Sequence, residues 1–97
     1  MQKFPTNRIN AYWTEENGIY SLHFTAFYDE ETILQFTKDP ENKGFWNCTS
    51  NLISDEWTEA ESPEKAMQAF EELIEEHLND QRCYYAHLQH AFTAVKE

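Results

Sequence analysis

Glycine is scarce in this chain. Gly18 and Gly44 are the only two and lie 26 positions apart. Neither a phosphate-binding loop nor a dinucleotide fingerprint can be written with them, because both need clustered glycines where backbone closes on phosphate. Positive charge is scarce as well, with 7 Lys and Arg against 18 Asp and Glu and a net charge of −11. Coulomb repulsion therefore argues against direct binding of DNA, RNA or an anionic membrane. Two cysteines, Cys48 and Cys83, are too few for a disulfide framework. They read as reduced thiols, with a single Cys48–Cys83 bridge as the alternative. No run approaches the ~18 apolar residues of a membrane helix. Met1–Arg8 has charges but no apolar stretch behind them, so no secretory signal and a cytoplasmic location are expected. Repeats, low-complexity tracts and Gly/Ser linkers are missing too, and residues 1–97 are read as a single domain.

What is present suffices for a core: 40% of the residues are hydrophobic and 15% aromatic. The first half reads as strands. Tyr20, Leu22, Phe24, Ala26 and Tyr28 share one parity and Ser21, His23 and Thr25 the other, the alternation of a half-buried strand. Ile9–Thr14 is its expected partner, joined through Glu15-Glu16-Asn17-Gly18, where Gly18 can take a positive φ. Residues 33–37 and 45–52 form a second expected hairpin. A short helix capped by Asp29 competes for residues 30–37, because Ile33, Leu34 and Phe36 fit either period.

The second half reads as helix. Ser62-Pro63 is an N-cap followed by proline at the first helical position. Ala66, Phe70, Leu73, Ile74 and Leu78 make one apolar stripe, and Tyr84, Leu88, Ala91, Phe92 and Val95 a second. One helix from Pro63 to Lys96 would run about 50 Å, long for a domain whose radius of gyration should be near 13 Å. A break around Asn79-Asp80-Gln81, with Asp80 capping the second helix, is therefore expected. The fold class expected is α+β: a small antiparallel sheet of three to four strands packed with two C-terminal helices.

The chemistry-bearing residues form no enzyme signature. Gly-x-Ser-x-Gly and His-Glu-x-x-His are both missing. Cys83 and His87, four apart on a helix, run parallel along one face with no third group to orient them. Asp80, Cys83, His87 and His90 lie on one stripe, but Cys83 and His90 are about 10 Å apart along the axis. One ion could take only an adjacent pair such as His87/His90, and zinc wants four ligands. A non-enzyme without metal or other cofactor is expected, with no small-molecule substrate.

The acids are the informative feature. Between Asp55 and Asp80 stand ten acids and one base, Lys65. Glu71/Glu75 and Glu72/Glu76 are i,i+4 like-charge pairs, each costing ~0.2–0.5 kcal/mol. Glu75 and Glu76 also lie toward a helix C-terminus, where the macrodipole disfavours anions. Surfaces selected for solubility alone intersperse Lys, so the retained repulsion points to an external cationic surface that neutralises the acids. Grooves that track nucleic-acid backbones are the commonest such surface. The expected contact residues are Asp55, Glu56, Glu59, Glu61, Glu71, Glu72, Glu75, Glu76 and Asp80, with Asp29, Glu30 and Glu31 as a second cluster and Tyr20 as an aromatic anchor.

In size, charge, α+β layout and the unpaired acids of residues 55–80, the chain resembles anti-CRISPR proteins of the nucleic-acid-mimic kind, small acidic phage proteins that bind type I surveillance complexes. The resemblance implies an inhibitor that occupies the target-DNA site of a Cas complex. One alternative shares the charge argument, an immunity protein that neutralises a toxin nuclease; the other, a non-inhibitory phage assembly module, leaves the acids as solubilising only.

Overall fold

The computed structural model describes residues 2–5, 10–26 and 29–93. Six strands precede one helix: β1 (Gln2–Pro5), β2 (Ala11–Glu16), β3 (Ile19–Ala26), β4 (Asp29–Lys38), β5 (Phe45–Ser50), β6 (Glu56–Glu59) and α1 (Pro63–Thr93). The strands form one antiparallel meander in sequence order, β1-β2-β3-β4-β5-β6. This corrects the expected three to four strands with two helices. The two additional strands are the sheet's edges, where pairing is one-sided and charge or proline is tolerated. β1 carries Lys3 and Pro5, and β6 is Glu-Trp-Thr-Glu inside the acidic run.

Asn17 and Gly18 make the β2–β3 turn, both with positive φ (54° and 79°), the backbone of a two-residue hairpin that matches strand twist. Residues 30–37 are strand. Their double periodicity has a local cause: the register slips between Leu22↔Leu34 and His23↔Thr32, leaving Ile33 as an extra residue. A bulge of this kind breaks the alternation of two, so Ile33 and Leu34 both meet apolar surroundings, Leu34 buried and Ile33 packed at the core's margin. Between β4 and β5, the Asp39 carboxylate accepts from the backbone amides of Glu41 (2.8 Å) and Asn42 (3.2 Å). These bonds hold its pKa below the ordinary carboxylate value.

One face of the sheet carries Trp13, Leu22, Leu34, Phe36, Trp46 and Cys48, and α1 seals it with Ala66, Met67, Phe70 and Ile74. Phe36 is the hub. Its ring lies 4.9 Å from Tyr20, 5.3 Å from Trp13, 5.7 Å from Trp46 and 5.1 Å from Phe70. Ser62 caps the helix: its Oγ accepts from the Lys65 amide at 3.3 Å and its carbonyl from the Ala66 amide at 3.1 Å.

The expected break at Asn79-Asp80-Gln81 is absent. α1 is continuous for 31 residues, about 46 Å at 1.5 Å per residue. No Gly or Pro follows Pro63 within it, and the modest propensity cost of Asn79 and Asp80 does not stop a helix whose flanking Leu78, Gln81 and Arg82 favour it. The compactness expected of the chain is what gives way. The radius of gyration is 16.6 Å and the longest extent 60 Å, against about 13 Å for a compact chain of this length. The second half of α1 projects past the sheet.

Candidate functional site

The acids sort by how the helix meets the sheet. With Ala66, Phe70 and Ile74 facing the core, a rotation of 100° per residue turns Glu64, Glu72, Glu75 and Glu76 onto the opposite half of the circumference and leaves Asp80 on the flank, about 80° from the core direction; Glu75 also borders a cavity beside Leu78. All five of these acids are exposed. Glu72 to Asp80 places four of these charges along about 12 Å of axis, spaced on average about 4 Å apart. Glu71 stands apart. It is half-buried, and its Oε2 accepts from the indole N–H of Trp13 at 3.1 Å, so its position serves the core as well as the charge pattern.

β6 touches α1, and Asp55, Glu56, Glu59 and Glu61 are all exposed. Glu59 pairs with Phe45 on the sheet face away from the helix, and Asp55 and Glu56 border a depression on that face, so the acids of residues 55–80 are spread over two sides of the molecule. The second cluster is built differently. Asp29 opens β4, and its side chain lies outside the described residues. Glu30 accepts from the Tyr12 hydroxyl and stands 3.6 Å from His23 Nδ1. Glu31 accepts from the Asn51 amide at 2.9 Å. These two carboxylates are tied into the sheet's own hydrogen bonds. The bond to Glu30, with the charge beside it, raises the pKa of Tyr12. Tyr20 is half-buried on the helix-facing side, stacked on Phe36. Burial first, then the charges of Glu15 and Glu64, raise its pKa. It supports the core beside the helix start rather than standing out as an anchor.

On the sheet's other face the sequence leaves aromatic or branched side chains, Tyr12 and Ile19 among them, on the parity opposite to the core. That face bears a shallow depression of about 480 Å³ lined by Ile19, Gln35, Thr37, Asn47, Thr49 and Trp57, with Asp55 and Glu56 at its rim. Trp57 is 62% exposed there, its ring 5.3 Å from Phe45. The signal was available: Trp57 sits between two acids in an edge strand, an aromatic with nowhere to go inward. On the same face Tyr12 stacks on His23, whose ring nitrogens meet Thr14 Oγ1 (2.7 Å) and Thr32 Oγ1 (3.1 Å).

Cys48 and Cys83 are both unpaired thiols, the first buried and the second exposed on α1. Burial, opposed by the Glu56 amide and reinforced by the charges of Glu56 and Asp55, pushes the Cys48 pKa up. Because the thiolate is the reactive form, a disulfide reagent should modify one thiol per native chain, Cys83, within minutes. The second should react only on unfolding, and two equally fast thiols would contradict this burial. Among the described residues no three His, Cys, Asp or Glu side chains are grouped so as to hold a metal ion, and no helix is long and apolar enough to cross a membrane. No known protein family, curated protein or solved structure matches this chain.

Proposed function

We propose that this protein is an acidic inhibitor that mimics nucleic acid, working in the cytoplasm by occupancy rather than catalysis. It binds a basic DNA-binding groove of a host defence complex, with a type I CRISPR-Cas surveillance complex as the favoured target, and blocks target DNA. The observation that carries the reading is the spacing of Glu72, Glu75, Glu76 and Asp80. One charge per about 4 Å of helix axis on average is comparable with the ~3.4 Å per phosphate along one strand of DNA. A channel whose Lys and Arg side chains track a phosphate backbone would meet a similar linear charge density here.

Opposed fields steer such an encounter, so association is fast and weakens as salt screens it. The test is displacement. Adding the protein to a surveillance complex carrying labelled target DNA should release the DNA, and its affinity for the empty complex should fall at least tenfold between about 50 and 300 mM salt. A complex that retains its DNA while this protein is bound would reject occupation of the groove.

A further inference from the structure

The apolar stripe of α1 does not end where the sheet ends. At 100° per residue, Leu78, Tyr84, Tyr85, Leu88 and Phe92 continue the same face that seats Phe70 and Ile74. All five are exposed, Leu78 by 52% and Phe92 by 83%. Where the helix leaves the sheet, Leu78 joins Leu22, Phe24, Ile33 and Ile74 around a mostly apolar cavity of about 320 Å³, with Glu71, Glu75 and Asn79 also in its lining. At about 200 Å² per fully exposed aromatic ring, scaled by their exposures, the three rings of this stretch and Phe24 with the two leucines present on the order of 600 Å² of apolar surface. That approaches the ~800 Å² per partner of a standard interface and stands at the upper end of what an unpartnered surface ordinarily shows.

Charge identifies the partner. From Pro63 to Glu76 the helix carries five acids and one base, but from His77 to Thr93 only Asp80 and Arg82. The projecting half is thus charge-balanced while the body it projects from is strongly acidic. A cationic partner gains nothing there, and another copy of the chain meets no repulsion provided the two acidic bodies stay apart. Antiparallel pairing of the projecting halves satisfies this, because it sends the bodies to opposite ends; parallel pairing would set them side by side. The sequence spacing fits a two-fold axis at Tyr85, with Leu78 seven residues before it and Phe92 seven after. We infer that the projecting half of α1 is a self-association surface on which two copies pair antiparallel, each Phe92 closing on the partner copy's cavity at Leu78. The second helix expected to fold back on its own sheet is supplied by the other chain, the logic of an exchanged element.

Sedimentation velocity of the full chain between about 1 and 100 µM should show a monomer–dimer equilibrium. The double variant Leu88→Glu/Phe92→Glu should raise its dissociation constant at least tenfold with an unchanged circular dichroism spectrum, since both side chains are exposed in the single chain. For orientation, a spin label at Thr93→Cys in a Cys83→Ser background should report a distance of about 25 Å across the dimer, sixteen helical residues apart along the axes. Labels near 10 Å, the interaxial distance of side-by-side helices, would mean parallel pairing and overturn the arrangement. A chain that stays monomeric at about 100 µM, or a double variant that dimerises like the wild type, would overturn the inference and leave the stripe to a different protein. Loss of DNA displacement with dimerisation intact counts against the proposed function alone.

Discussion

Replacing Glu72 and Glu76 with Lys should weaken binding to the cationic partner at least a hundredfold and leave the protein folded. Both carboxylates are exposed on the outer face of α1, and neither contributes to the core that seats the helix. In a complex each reversal replaces an attraction with a repulsion, and close charge pairs across interfaces couple by ~1.5–7 kcal/mol. Two such changes therefore exceed the ~2.8 kcal/mol that a hundredfold represents. Glu71 is left out because it accepts the half-buried Trp13 indole N–H, and orphaning that donor costs about 1–3 kcal/mol. A loss of binding through Glu71 would confuse folding with recognition. The single variant Glu76→Lys separates the two most sharply. It turns the Glu72/Glu76 repulsion into a Glu-to-Lys i,i+4 attraction of the favourable polarity, at a mid-helix position that neither terminal dipole reaches. It should melt no lower than the wild type while binding more weakly, as read by calorimetric titration beside thermal unfolding. Unchanged affinity in the double variant would remove α1 from the contact face and move attention to Asp55–Glu61.

The parts of this fold that local chemistry dictates were legible in the sequence. Ser62-Pro63 starts the helix because an Oγ acceptor and a missing N–H suit the first turn, whatever packs on it. Asn17-Gly18 turns because both residues tolerate positive φ. The central strands showed through parity. The remainder depended on neighbours. β1 and β6 are four-residue edges, too short for a period and polar because edges can be. The Ile33 bulge made a strand look half-helical. The helix break was inferred from compactness, a property of the whole chain, while every local residue from Asn79 to Gln81 allowed the helix to continue. For the site, the acid-rich segment was visible as composition, but only the packing of Phe70 and Ile74 shows which acids face outward and that Glu71 does not. The burial of Tyr20 against Phe36 followed from a three-dimensional stack that its neighbours in sequence do not announce.

Phe70→Ala should lower stability by about 3–5 kcal/mol, the usual cost of truncating a fully buried phenylalanine. Phe70 is 0% exposed, and its ring is 5.1 Å from Phe36, which in turn touches Trp13, Trp46 and Tyr20. A cavity there loosens the centre of the aromatic cluster. It also removes the largest of the four buried side chains, Ala66, Met67, Phe70 and Ile74, that hold a 31-residue helix to the sheet. Against the ~5–15 kcal/mol that domains possess, that loss should move the unfolding midpoint to a markedly lower urea concentration. Phe92→Ala is the paired measurement. That ring is 83% exposed on the same stripe, so in dilute protein, below any self-association, the change should stay within ~0.5 kcal/mol. Urea unfolding followed by tryptophan fluorescence at submicromolar concentration reads both. Equal losses would mean that Phe92 is buried by its own chain, which requires the helix to turn back near Asn79. Unequal losses follow from a helix anchored over its first four turns and projecting over the rest.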